Sequence, residues 1–184
     1  MMAPSAPTQV PSNFSEGVAV ATIRYRGQLE PLTTRGLFKQ QDGGDWYVVS
    51  QFEALHARRA FPCFDEPAWK TPWQLTIEAP KDMVVVSNTP ELAAYDSPTR
   101  PGWRLHGFAP TKPLPSYLIA LAVGPFDVVD GGTAGMIKTR LRYFAPKGRG
   151  NELTWVKEST PKVLELLENY FGSPYPFEIF IEQF

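Results

Sequence analysis

Gln51 and Glu53 flank a phenylalanine in the run Gln51-Phe52-Glu53. In an extended chain, side chains two apart point to one face. The spacing therefore predicts a surface with an amide and a carboxylate side by side, although by pattern alone any exposed strand can carry two such polar residues. Further reactive side chains follow at once: His56, Arg58, Arg59, Cys63, Asp65 and Glu66. The two arginines facing Asp65 and Glu66 invite an acid–base reading. A structural one fits better, because an arginine fork on a carboxylate fixes a tight loop that Pro62 and Pro67 restrict from both sides. Cys63 with His56 is the alternative for nucleophilic chemistry, but the Phe61 and Phe64 neighbours suit a small apolar core residue better than an activated thiolate. A zinc site of the two-histidine, one-glutamate kind needs histidines one helical turn apart, a third carboxylate and a base. His56 and His106 are the only histidines and stand fifty residues apart.

The elements that must position these residues are foreshadowed by composition. The chain has 184 residues, 43% hydrophobic and 20% charged, which is ordinary for a globular domain and excludes a disordered class. Lys and Arg total 18 against 19 Asp and Glu, leaving no broad basic field for nucleic acid or anionic lipid. A single cysteine excludes an intrachain disulfide framework. The longest apolar stretch, Tyr117 to Ala122 and on to Phe126, falls far short of the roughly 20 residues that span a bilayer and reads as a buried strand. The N-terminus has neither a basic leader nor an apolar core, so no signal peptide is expected and the default compartment is cytoplasmic. Nineteen prolines and fourteen glycines fit many short strands joined by turns.

Residues 1–15, rich in Pro, Ser, Ala and Thr, read as a disordered lead-in, with structure starting near Val18. Ile23 and Tyr25 alternate with polar neighbours as a half-buried strand would, and Trp46 to Val49 forms another after the turn-like Asp42-Gly43-Gly44-Asp45, which predicts a hairpin. Trp73, Leu75 and Ile77 share one face of a strand; Ile137, Leu141 and Tyr143 share one face of another. Met83 to Val86, Trp103 to Phe108 and Tyr117 to Val123 complete a stack of antiparallel strands. From Glu152 the apolar period becomes helical through Phe171, Gly172 supplies a stop, and Pro161 marks either a kink or a start capped by Thr160. The run Pro146 to Gly150, where one period gives way to the other, is the expected domain joint.

The segment from Gln51 to Pro67, with Gln-x-Glu at its start and Phe64-Asp65-Glu66-Pro67 at its end, resembles a signature of the N-terminal domain of zinc aminopeptidases of the aminopeptidase N type. Gly36-Leu37-Phe38, Lys70-Thr71-Pro72-Trp73, Val86-Ser87-Asn88-Thr89-Pro90, Leu114-Pro115-Ser116-Tyr117-Leu118 and Val123-Gly124-Pro125-Phe126 extend the likeness. Tyr170-Phe171-Gly172-Ser173-Pro174-Tyr175-Pro176 resembles the stretch that opens the family's catalytic domain. The resemblance implies a mostly β, antiparallel, saddle-like sandwich over 16–147 with its first strands missing, then one helix that begins a thermolysin-like catalytic domain over 148–184. It implies that Glu53 holds the free amino terminus of a peptide and that Gln51 lines the pocket for its first side chain. In such enzymes zinc activates the attacking water and a glutamate acts as base.

The chain departs from the family where catalysis would lie. His-Glu-x-x-His is absent, and so is Gly-x-Met-Glu-Asn; Ala134-Gly135-Met136-Ile137-Lys138 has neither the Glu nor the Asn. Leu55 and His56 stand where relatives carry an acidic and a short polar residue, and the tail from Glu178 to Phe184 also differs, which predicts a truncation or a frameshift. The resulting expectation is a fragment of a zinc metallo-aminopeptidase that contributes recognition of the peptide terminus, with no catalytic residue or metal ligand of its own and the missing catalytic domain as its partner. Zinc is expected in the full-length enzyme. The alternative is a free-standing, non-catalytic β-domain for protein or peptide binding. An epoxide hydrolase relative ranks last, since its loop should differ at Phe64 to Pro67.

Overall fold

The computed structural model describes residues 17–29, 33–177 and 179–183, the last three of these as backbone. The expected lead-in over residues 1–15 lies outside the described residues. Ten strands and one α-helix follow among those described: β1 (Gly36–Asp42), β2 (Asp45–Gln51), β3 (Thr76–Pro80), β4 (Val84–Ser87), β5 (Glu91–Asp96), β6 (Trp103–Phe108), β7 (Leu121–Gly124), β8 (Phe126–Ala134), β9 (Thr139–Pro146), α1 (Thr154–Phe171) and β10 (Ile179–Gln183). The fold is mostly antiparallel β with a single helix near its end.

The predicted hairpin is present. β1 and β2 pair from Gly36↔Gln51 to Asp42↔Asp45, and the two-residue link Gly43-Gly44 has φ of 56° and 92°, a conformation that glycine adopts without steric cost and that matches strand twist. This hairpin forms one side of a four-stranded sheet ordered β1-β2-β7-β4. A second sheet, β3-β6-β5, packs Ala79 and Phe108 against Val85 and Val123 of the first. The third, β10-β9-β8, meets the first through Tyr47, Val86, Ala122, Phe126 and Phe144. On the third sheet, α1 lays Val156 and Leu164 against Leu141, Tyr143 and Ala145.

Four expectations are corrected. Residues 17–29 form no strand, and Ile23 and Tyr25 are 61% and 51% exposed. Alternation marks a face, but without a partner strand among the described residues the backbone groups stay with water. Ile137 belongs to the turn between β8 and β9 and is exposed; the strand proper starts at Thr139, with Leu141 and Tyr143 fully buried. Tyr117 to Val123 is not one strand. A 3-10 turn over Ser116–Leu118 precedes β7, because the Ser116 side chain is drawn to Asp65. The helix starts at Thr154 after a 3-10 turn and runs through Pro161, so the Thr160 start is ruled out and the Lys157 carbonyl lacks its usual intrahelical donor. Gly172, φ 64°, closes the helix with its N–H on the Glu168 carbonyl, as expected.

One feature had no sequence signal. β10 runs parallel to β9, from Ile179↔Arg140 to Gln183↔Phe144, with α1 as the crossover between them. The Pro146 to Gly150 link is tied on three sides. The Lys147 N–H donates to the Tyr47 hydroxyl at 3.0 Å, the Gly150 N–H to Asp127 at 2.9 Å, and the Arg149 guanidinium to Asp42 at 2.8 Å. No helix among the described residues is long and apolar enough to cross a membrane.

Candidate functional site

β2 ends at Gln51, and the next three side chains decide what its end presents. Phe52 is 2% exposed, packed with Ala57, Leu114 and Ile119, while Gln51 and Glu53 are exposed on either side of it. Gln51 is the last residue of the strand, whereas Glu53 already belongs to the turn over residues 53–56, which the His56 N–H closes on the Phe52 carbonyl at 2.8 Å, so the extended run expected through Glu53 stops short of it. The amide and the carboxylate thus lie toward solvent from one anchored strand end. Neither side chain makes a hydrogen bond or ion pair among the described residues.

The anchor beneath them is aromatic. Phe52 meets Phe61 edge-on at 5.4 Å between ring centroids, and Phe61 meets Trp73 at 5.4 Å. The Trp73 indole donates to the Leu114 carbonyl at 2.8 Å, and the Trp73 N–H donates to the Thr111 hydroxyl at 3.0 Å. Burial of such rings, about 150–250 Å² each, with their polar edges satisfied, gives the strand end a stiff floor.

The loop that follows Glu53 is closed by Asp65. Its carboxylate accepts from the Arg58 N–H and from Arg58 Nε, both at 3.1 Å, and from the Ser116 hydroxyl at 2.6 Å; Arg58 Nη2 reaches the Asp65 carbonyl at 3.0 Å. Burial alone would raise the Asp65 pKa, but the Ser116 hydroxyl and the Arg58 donors outweigh it and hold the carboxyl below its ordinary range. Asp65 is 4% exposed and Ser116 1%, so the clip is internal on the carboxylate side. The structural reading of Arg58 and Asp65 is therefore correct. Ser116 was missed as the third member, since it lies 51 residues away in sequence. Its only signal was its place in the Leu-Pro-Ser-Tyr-Leu run.

The other segments quoted for the resemblance converge on the same region. Gly36, φ 78°, lets the start of β1 pass beside Arg59, whose Cβ would lie 3.1 Å from any added methyl. Thr71 bridges to Leu114. Asn88 donates to the Leu118 carbonyl and accepts from the Ala120 N–H, both at 2.8 Å, and the Ser87 hydroxyl donates to the Ala120 carbonyl at 3.0 Å. These bonds hold the chain between the Ser116 turn and β7.

The remaining reactive residues lie in other roles. Cys63 is half-buried in the aromatic cluster, and burial, with Asp65 adding to it, pushes its thiol above the ordinary value against the pull of Arg58 and Ser116. That suits a packed thiol and not a nucleophile. His106 sits on β6, a different sheet from Gln51, is 8% exposed, and places Nδ1 3.0 Å from the Glu91 carboxylate. His56 precedes the 3-10 turn at Ala57–Arg59 and makes no side-chain cap. Of the Ala134 to Lys138 segment, Ala134 ends β8 and residues 135–138 form a turn, in which the Met136 N–H donates to Glu168 at 2.7 Å.

A cleft of about 340 Å³ opens between β4, β7 and the segment from Tyr175 to Ile179. It is mainly apolar, and Ser50, Ser87, Asn88 and Thr111 on its wall are engaged with backbone groups. Gln51 and Glu53 do not line it. The candidate site is the open strand end, which is one wall and not a closed pocket.

Comparison with known proteins shows the family of the chain. Residues 6–118 match the Peptidase M1 N-terminal domain family. The chain is 39% identical over 135 residues to "Aminopeptidase M1-B" of Oryza sativa subsp. japonica, covering 70% of this chain and 14% of that protein. It is 33% identical over 179 residues to "Aminopeptidase N" of Acetobacter pasteurianus, covering 95% of this chain and 49% of that protein. With "Aminopeptidase M1" of Arabidopsis thaliana it shares 31% over 163 residues, 87% of this chain and 18% of that one. The chain thus spans half or less of the length of these relatives.

Proposed function

Because the chain belongs to the Peptidase M1 N-terminal domain family, we propose that its Gln51–Glu53 surface receives the free amino end of a peptide for an aminopeptidase. The observation that supports this reading is the exposed, unengaged carboxylate of Glu53, two residues after Gln51 and next in the chain to buried Phe52, with the Asp65 clip closing the loop that follows. A peptide ammonium entering a partly desolvated wall needs a counter-charge, and Glu53 supplies one with acceptor oxygens. A charge-assisted hydrogen bond of that kind contributes about 1.5–3 kcal/mol. An amide carries no net charge, so Gln51 is suited to shaping the space for the first side chain. A free amine at a fixed wall is also what separates removal of terminal residues from internal cleavage.

In this reading the longer protein is a zinc metallo-aminopeptidase, and its hydrolytic apparatus lies outside the segment described. The residues present do not fit a zinc ion: among the described residues no three His, Cys, Asp or Glu side chains group to hold a metal, and His106 is committed to Glu91. No step is therefore assigned to zinc on this chain. The division into a β-domain over 16–147 and a following segment over 148–184 is kept as part of the proposal.

The test is a graft of residues 18–177 into a complete relative. Glu53→Gln keeps shape and removes charge; kcat/KM on free-amine substrates should fall about ten- to a hundredfold, mainly through KM. Unchanged efficiency in the graft would remove the amine-binding role.

A further inference from the structure

Gly36 stands between Gln51 and Arg59. Across the β1–β2 ladder it faces Gln51, and opposite residues of an antiparallel pair put their side chains on one face with Cβ atoms about 4.5–5.5 Å apart. The place where Gly36 lacks a Cβ is flanked by the Arg59 stem, with Cβ at 3.1 Å and Cδ at 3.6 Å from it. Any side chain at position 36 would displace that stem. Arg59 Cδ therefore lies within about 9 Å of Gln51 Cβ. The two arginines of the loop have different commitments. Arg58 is held by Asp65, whereas the Arg59 side chain is exposed and enters no hydrogen bond or ion pair among the described residues.

We propose that Arg59 determines specificity at this site and selects peptides whose first side chain is acidic. The inference rests on the reading of Gln51 and Glu53 given above, in which the peptide ammonium goes to Glu53 and the first side chain to the space beside Gln51. Arg59 sets a guanidinium at the margin of that space, charged at every working pH and with all its donors uncommitted. The wall then offers a negative group to the amine and a positive one to the side chain, with a neutral amide between. A peptide that begins with glutamate or aspartate carries the matching pattern, an ammonium on Cα and a carboxylate at the end of the side chain. One that begins with lysine or arginine sets like charge beside Arg59. At the water-like dielectric of exposed groups, about 40–80, unit charges about 6–8 Å apart shift kcat/KM by about two- to tenfold. That is a preference among substrates and not an absolute filter.

Substrate ratios in the graft of residues 18–177 test this, because a ratio does not depend on how much of a variant is folded. Glutamyl- and glutaminyl-p-nitroanilide differ in charge and hardly in shape. Arg59→Met keeps the stem against Gly36 and removes the charge, so the ratio of kcat/KM for glutamyl over glutaminyl should fall about two- to tenfold. Arg59→Glu should lower that ratio further and raise lysyl- over glutaminyl-p-nitroanilide. Added salt should bring the native ratio toward that of Arg59→Met. Ratios that stay the same in Arg59→Met and Arg59→Glu overturn the assignment. Glu53→Gln in the same graft separates the two readings. If it lowers efficiency on glutamyl and glutaminyl substrates alike while the Arg59 variants leave their ratio unchanged, only the role of Arg59 falls. If Glu53→Gln changes nothing, the amine-binding reading falls and takes this inference with it.

Discussion

Replacing Asp65 by asparagine keeps the volume of the loop clip and removes half of its accepting power. In the native chain one oxygen takes the Ser116 hydroxyl and the other takes two Arg58 donors. Asparagine has one oxygen, so its amide must face either Ser116 or the Arg58 N–H. The Arg58 guanidinium is half exposed and its ion pair is discounted to about 0–1 kcal/mol. The buried donor left without an acceptor costs about 1–3 kcal/mol. Together the expected loss is about 2–3 kcal/mol. For a domain of this size that lowers Tm by roughly 5–10 °C. A urea titration read by tryptophan fluorescence gives the free energy directly, and Ser116→Ala in the same background apportions it. The pH dependence supplies a second reading. Because the Asp65 pKa is depressed in the folded state, its contribution is complete above the unfolded value of about 3.9 and disappears as pH falls through the lower folded value. The native chain should therefore lose stability below about pH 4 more steeply than Asp65→Asn does. A loss under about 0.5 kcal/mol with parallel pH curves is what an ordinary surface position gives, and would refute the clip.

Glu168, 3% exposed, accepts the Met136 and Tyr175 N–H groups at 2.7 Å each. Glu168→Gln turns one of those acceptors into a donor, so about 2 kcal/mol of stability should be lost, with faster proteolysis near residues 135–138 and 173–177; equal digestion rates would count against it. In the grafted enzyme, Gln51→Ala should change the ranking of substrates by first side chain by more than it changes the rate on the best one. A uniform fall across all first side chains would give Gln51 a general binding role instead.

The strands legible in the sequence were those with a partner that buries one face. Leu141 to Tyr143 shows its alternation in the burial of the structure; Trp73 to Ile77 does too, although the strand starts only at Thr76, and Trp46 to Val49 is a strand in which Tyr47 alone is buried. Ile23 and Tyr25 carry the same alternation without such a partner, and the pattern alone does not distinguish the two cases. The pairing of β10 with β9 was invisible because a parallel crossover depends on where the helix returns the chain, not on local composition. At the candidate site, Gln51 and Glu53 are exposed around buried Phe52 as the spacing predicts, but Glu53 stands in the turn after the strand, where the period of two no longer applies. Ser116 was not legible, since a hydroxyl that completes a carboxylate's shell 51 residues away leaves no periodic trace.

The parallel strand also bears on motion. β10 follows the link at Pro146 to Gly150, yet it hydrogen-bonds along β9, which precedes that link. Two segments that share a sheet cannot rotate apart without breaking its ladder, so the link has no freedom to act as a hinge. The amides of β9 should accordingly be among the slowest to exchange with solvent, protected on both sides. On the reading proposed for Glu53, such a fixed joint would leave the orientation of a bound peptide set before it arrives, so that it need not be created on binding.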